Sequence, residues 1–156
     1  DGVYIFLRLL ETDQAKAEKV RALLEWNGGG AHSTGVGIGN IDFVGNVHPD
    51  QFWQDYTLGN VRERSFGDIW MDEGDPLMRG LKRKAEYLKG RCRLCAHRPL
   101  CTGAMRVRAF RAYNDPWAPD PQCYITDEEI GLSDDKKREL RESGEEFPVP
   151  AELAAR

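Results

Sequence analysis

The run Cys92-Arg93-Leu94-Cys95-Ala96-His97-Arg98-Pro99-Leu100-Cys101 is answered, after a proline-rich loop, by Asp120-Pro121-Gln122-Cys123-Tyr124. These two stretches hold all four cysteines of the 156-residue chain. Two residues separate Cys92 from Cys95, five lie before Cys101, and twenty-one more lie before Cys123. Three thiols on a tight turn and a fourth returned by a loop make a four-thiolate cage for a metal centre. The fold is expected to be organised around that cage.

Other cysteine chemistries fit less well. Disulfides need an oxidising compartment, and the sequence shows no secretory signal. A thioredoxin-like redox pair needs a strand before it and a helix after it, whereas Gly90-Arg91 precedes the pair and Pro99 interrupts. Two metal readings stay open. Four thiolates suit tetrahedral zinc, although zinc ribbons usually pair two Cys-x2-Cys knuckles. An iron–sulfur cube is larger and takes its ligands from separate directions, which this spacing serves better.

No run approaches the roughly 20 apolar residues of a membrane span, and the formal charge of −4 is unevenly spread. Eleven Lys and Arg fall between Arg79 and Arg111, against the single acid Glu86. An acidic chain is a poor nucleic-acid binder, so no nucleic-acid partner is expected. The basic block asks for a local anion instead: a thiolate-held cluster, or a polycarboxylate substrate.

Outward from the cysteines, the elements read as follows. Val3–Leu9 is expected as a buried strand. A helix capped at Thr12 carries Ala17, Val20, Leu23 and Leu24 inward, reaches about Trp26 and is closed by Gly28-Gly29-Gly30. Gly35-Val36-Gly37-Ile38-Gly39 resembles a phosphate loop, but no capped helix follows it. It reads as a glycine-bearing strand entering a hairpin, where Gly45 and Asn46 tolerate positive φ. His48 and Gln51 leave that hairpin either as a polar loop anchored by Phe52 and Trp53 or facing a substrate.

Ser65 caps a short helix with Phe66, Ile69 and Trp70 inward. Asp75-Pro76 starts a helix running through Leu77, Leu81, Ala85 and Leu88 to Gly90, with at least two of Lys82, Arg83 and Lys84 solvated. Met105–Tyr113 is a further helix on which Arg106 and Arg108 point apart. The stiff loop 114–121 delivers Cys123, and Thr126–Glu129 is a capping box. Residues 132–156 are charged and expected to be a disordered tail. The fold class is therefore α+β: a small β-hairpin plus short helices around a cysteine-ligated centre.

The cysteine spacing resembles the SPASM or twitch part of radical SAM enzymes, most of all those of haem d1 biosynthesis. Gly39-Asn40-Ile41-Asp42, the run from Gly45 to Trp53, the run from Leu58 to Phe66, Ile69-Trp70 and Trp117-Ala118-Pro119-Asp120-Pro121 carry the same resemblance. It implies three regions. Residues 1–27 would be the last strand and helix of a truncated partial (β/α) barrel, 28–131 the SPASM/twitch-like domain, and 132–156 the tail. The abrupt opening at Asp1 fits a fragment of a longer protein.

The resemblance also implies that Cys92, Cys95, Cys101 and Cys123 ligate one auxiliary 4Fe–4S cluster. S-adenosylmethionine and a second 4Fe–4S cluster would belong to a Cys-x3-Cys-x2-Cys motif that this chain lacks, leaving it inactive alone. Asp50 stands where larger relatives place a cysteine for another auxiliary cluster, and Met105 replaces a further one. Thr102-Gly103-Ala104 replaces a glycine-rich run. The implied oxidoreductase is cytoplasmic, modifies propionate side chains of an iron tetrapyrrole and draws electrons from a ferredoxin or flavodoxin.

Arg106, Arg108, His48 and Gln51 are then candidate substrate-binding residues, with the cluster serving electron transfer or substrate positioning. No residue of this chain is assigned a catalytic role. The competing reading is a stand-alone structural zinc domain for protein–protein interaction. Zinc could also enter the same thiolates in an aerobic preparation.

Overall fold

The computed structural model describes residues 2–26 and 34–151. The expected glycine stop at 28–30 lies outside them. The chain opens on a helix, α1 (Gly2–Thr12), where a strand was expected. Val3 and Phe6 are its buried residues, with Leu7 packed beside them, a spacing that serves a helical stripe. A helix satisfies its own backbone, whereas a strand needs a paired neighbour.

α2 (Gln14–Trp26) returns along α1 after a one-residue turn. Asp13, not Thr12, caps it by accepting from the Lys16 N–H at 3.1 Å, while the Thr12 hydroxyl donates back to the Arg8 carbonyl. Ala17 and Leu24 face inward, but Leu23 is 54% exposed.

Three short strands, β1 (Asn40–Ile41), β2 (Asn46–His48) and β3 (Gly59–Asn60), form an antiparallel sheet in that order. Asn40 stands opposite His48, and Val47 opposite both Ile41 and Gly59. The segment before β1 is a turn rather than a strand. Gly35, at φ +70°, donates its N–H to the Ile38 and Pro49 carbonyls, leaving Val36 and Ile38 exposed. Close backbone packing is nevertheless present, since a Cβ on Gly39 would lie 2.6 Å from the Trp70 ring.

Asp42 organises the β1–β2 turn. Its carboxylate accepts from the N–H groups of Val44 and Asn46 and from the Asn46 side chain. Burial opposes its ionisation, but these bonds and His48 outweigh that and hold the carboxyl at about 2. Gly45 takes positive φ, +93°, whereas Asn46 does not.

Helices make up most of the remainder: α3 (Phe66–Met71), α4 (Pro76–Lys82), α5 (Lys84–Tyr87), α6 (Gly90–Leu94), α7 (Arg98–Cys101), α8 (Arg106–Tyr113) and α9 (Asp134–Glu142). The caps expected at Ser65 and Asp75 are present. The long helix expected from Pro76 to Gly90 breaks at Arg83 (φ −134°, ψ 38°). That break turns Lys84 inward, where it is 6% exposed, so this member of the charge run is not solvated. Gly90, at φ +55°, opens α6 rather than simply ending what precedes it.

The expected disordered tail is corrected by α9. Ser133 caps it, Leu140 is 6% exposed in the core, and Gly144 closes it at φ +68° with the Glu145 N–H on the Leu140 carbonyl. One buried leucine and two acids that reach α6 suffice to dock a mostly charged helix.

Two apolar cores result. One gathers Val3, Phe6, Leu24, Ile125, Ile130 and Leu140, and Cys95, Cys101 and Cys123 pack at its edge. The other gathers Trp53, Leu77, Met78, Leu81 and Val107, with Trp70, Phe110 and Trp117 packed against them.

Candidate metal centre

Cys92 lies within α6, Cys95 caps its C-terminus, Cys101 ends α7, and Cys123 sits on the loop beyond α8. All four are free thiols and half-buried. They stand close enough to feel one another. Burial pushes the Cys95, Cys101 and Cys123 thiols up, Cys92 pushes each further, and Cys101 reaches about 12.

Backbone geometry aims donors at the sulfurs. The His97 N–H lies 3.3 Å from the Cys95 sulfur, and the N–H groups of Gly103 and Ile125 face Cys101 and Cys123. After Cys101 the chain takes three consecutive left-handed residues: Thr102 (φ 47°), Gly103 (φ 82°) and Ala104 (φ 54°). Two of them carry a Cβ, each at a cost of roughly 1–2 kcal/mol. Thr102 and Ala104 give their N–H groups to the Arg98 and Cys101 carbonyls, which leaves the Gly103 N–H turned toward the Cys101 sulfur. Pro99 lies in the first turn of α7, so it helps start that helix instead of interrupting the site.

The loop delivering Cys123 is pinned at both ends. Asp115 accepts from the Trp117 N–H and from Lys89 Nζ, and the Lys89 N–H bonds the Trp117 carbonyl. Asp120, 4% exposed, accepts from the Gln122 N–H and pairs with Arg108, while its carbonyl takes the Cys123 N–H. Trp117 in turn lies against Gly80 of α4, where a Cβ would stand 2.1 Å from the ring.

The basic block is largely neutralised by acids from other elements. Arg83 meets Glu73, Lys89 meets Asp115, Arg91 meets Asp127, and Arg93 meets both Glu139 and Glu145. Glu145 also accepts from the Gly90 N–H, so the C-terminal helix is tied to the first cysteine turn. Sequence reasoning missed Asp120, Lys84 and Glu145. Of these only Asp120 left a signal, an Asp flanked by two prolines three residues before a cysteine.

The four candidate substrate residues do not converge. His48 is 3% exposed, with Nδ1 on the Tyr56 carbonyl and Nε2 facing Asp42. Arg106 is 1% exposed and enclosed. Gln51 is exposed on the loop after β2, and its carbonyl meets the Gln54 side chain. Arg108 alone of the four lines a cavity of about 670 Å³, with Phe52, Met105, Val107, Arg111 and Pro121. Asp50 is buried and accepts from the Thr34 hydroxyl and the Phe52 N–H, a structural carboxylate of that turn.

Four thiols from separate segments, inward-facing N–H groups and a buried guanidinium beside them suit an anionic thiolate-ligated group. Among the described residues no three His, Cys, Asp or Glu side chains gather tightly enough to hold one metal ion.

Residues 37–96 match the SPASM family, described as an iron-sulfur cluster-binding domain. The chain is 46% identical, over 84% of its length, to an Fe-coproporphyrin III synthase of Methanosarcina barkeri, covering 33% of that protein. It is 40% identical, over 88%, to a pre-heme d1 synthase of Dinoroseobacter shibae, covering 34%. An AdoMet-dependent heme synthase of Methanosarcina barkeri is 33% identical over 70% of the chain and is covered over 31%. The chain thus spans about a third of the length of these relatives. No solved structure matches significantly. Over residues 37–96 the chain belongs to the SPASM iron–sulfur cluster-binding family, and over most of its length it is similar to these synthases.

Proposed function

We propose that Cys92, Cys95, Cys101 and Cys123 hold one auxiliary 4Fe–4S cluster in an enzyme that modifies an iron tetrapyrrole. The observation that carries the reading is the convergence of four free thiols, three of them faced by the His97, Gly103 and Ile125 N–H groups, in a chain of this family. When bound, the cluster supplies one-electron transfer. With four thiolates on four irons no open site remains for substrate, so the chain's part is to hold the carrier and shape the pocket beside it. The chemistry that cleaves S-adenosylmethionine needs residues outside this chain.

The tetrapyrrole assignment rests on what the relatives are named for: Fe-coproporphyrin III, pre-heme d1 and heme. Haem d1 biosynthesis is the reading that the sequence resemblance favours, and the 46% relative makes an Fe-coproporphyrin III product the specific competitor. Arg108 and Arg111, which line the cavity together with the apolar Phe52, Met105 and Val107, would meet substrate carboxylates. Arg108 is already paired with Asp120 and Arg111 with Asp55, so each would share its guanidinium.

The test uses the full-length enzyme carrying this chain, anaerobically, with S-adenosylmethionine, a low-potential reductant and each candidate iron tetrapyrrole. Mass spectrometry is expected to show a product of one haem pathway, with its tetrapyrrole affinity lowered by Arg108→Gln. No change in any tetrapyrrole would overturn the substrate class, and unchanged affinity would remove Arg108.

A further inference from the structure

Arg106 opens α8 and is among the largest fully buried side chains of the protein. A guanidinium stays charged under all ordinary conditions, so burying it demands acceptors or an anion. Its Nη1 donates to the Pro116 and Ala118 carbonyls at 3.0 and 2.6 Å. Its Nε and Nη2 are buried and meet no acceptor. Among the described residues it has no ion pair, because the one nearby carboxylate, Asp120, is held by Arg108.

Every element packed against Arg106 contributes a charge or a dipole. Lys84 from α5 and Arg108 from its own helix are like charges. Asp120 from the loop is acidic but engaged with Arg108, and Asp50 acts on Lys84. The remaining groups facing it are the Cys92 and Cys101 sulfurs. Gly103 lies against the guanidinium, and a Cβ there would stand 2.9 Å from Cζ and 3.0 Å from Nε. The left-handed turn after Cys101 therefore makes the room that the guanidinium occupies. The two carbonyls it holds belong to the loop that presents Cys123.

We infer that Arg106 is the electrostatic partner of the cluster, its free Nε–H and Nη2–H donating to sulfur on the Cys92–Cys101 side while Nη1 clamps the Cys123 loop. This rests on the four cysteines holding an iron–sulfur cluster. It makes Arg106 a positioning residue that raises the cluster's reduction potential, since a fixed positive charge favours the added electron. Arg91 also stands toward Cys95 and Cys123, but it is paired with Asp127, whereas Arg106 has no carboxylate of its own among the described residues.

The test uses the whole chain, reconstituted anaerobically, as wild type, Arg106→Gln and Arg106→Lys, titrated with dithionite and low-potential mediators. In Arg106→Gln the reduced-to-oxidised ratio at fixed ambient potential is expected to fall about tenfold, which is ~59 mV for a one-electron couple. Arg106→Lys, which keeps the charge, should fall less. A Gln variant titrating within about threefold of wild type overturns the inference.

A second readout does not depend on that variant folding. Wild-type chain labelled with ¹⁵N-arginine should show guanidinium nitrogen coupling to the reduced cluster by pulsed EPR, lost in Arg106→Lys and kept in Arg91→Lys. No coupling in wild type refutes the inference. Wild type that binds no iron or sulfide overturns the cluster reading itself, whereas a loaded cluster indifferent to Arg106 overturns this inference alone.

Discussion

Gly103→Ala isolates the geometry of the cysteine turn. The residue sits at φ +82°, where an added Cβ costs roughly 1–2 kcal/mol in backbone strain alone. That Cβ would also stand 2.4 Å from the Leu88 side chain, which is 3% exposed, and 2.9 Å from the Arg106 guanidinium. Overpacking of this kind adds typically 1–3 kcal/mol, for a total of about 2–5 kcal/mol. Gly144→Ala is the matched control: its φ is +68°, yet nothing lies within 4 Å of the added Cβ, so only the backbone cost applies. At about 2–4 °C per kcal/mol for a chain this long, Gly103→Ala should lower Tm by about 4–20 °C, roughly twice the Gly144 effect or more. Far-UV circular dichroism melts of the anaerobic, loaded chain measure both. Equal shifts for the two variants would refute the idea that a filled space, and not only an unusual φ, defines this turn.

Three further perturbations test separate parts of the fold. Burial and Arg106 lower the Lys84 pKa to about 8, against Asp50, so between about pH 8 and pH 10.5 the unfolded chain holds more protons than the folded one. Stability should therefore rise with pH across that window relative to Lys84→Met, and parallel denaturation curves from pH 7 to 10 would contradict it. Asp75→Ala removes both the α4 cap on Met78 and the Tyr56 hydroxyl's acceptor, costing about 2–4 kcal/mol. Burial and Asp75 raise the Tyr56 pKa to about 12, so the same variant should let Tyr56 ionise at lower pH in an ultraviolet titration, and an unmoved titration would count against the pair. Leu140→Ala should cost about 2–5 kcal/mol in denaturant unfolding if α9 is docked, whereas a loss near zero is what a free tail would give.

What could be read in advance followed from local chemistry. The caps at Ser65, Asp75 and Thr126 each need only a side-chain oxygen and an N–H three residues on, and all three are formed. Arg106 and Arg108 do point apart, one toward the cysteines and one toward Gln122. The misses came where distant residues decide. Val3–Leu9 fits a strand or a helix equally well over so short an apolar run, and packing against α2 and Leu140 settled it. Arg83 breaks its helix with neither Pro nor Gly to mark the place. The segment α9 looks solvated because its anchors are one leucine and acids whose partners, Arg93 and Gly90, lie some fifty residues earlier. At the metal centre the cysteines were legible by spacing, but the pairing that leaves Arg106 without a carboxylate was not. It depends on Asp120 choosing Arg108 across a loop.

The central claim is that these four cysteines hold an iron–sulfur cluster. Iron, acid-labile sulfide and zinc should be counted together on anaerobically purified and reconstituted chain, in wild type and with each cysteine changed to Ala. The account predicts about four irons and four sulfides per wild-type chain for a 4Fe–4S cluster, depleted by every substitution. One zinc per chain with no sulfide under the same conditions would contradict it.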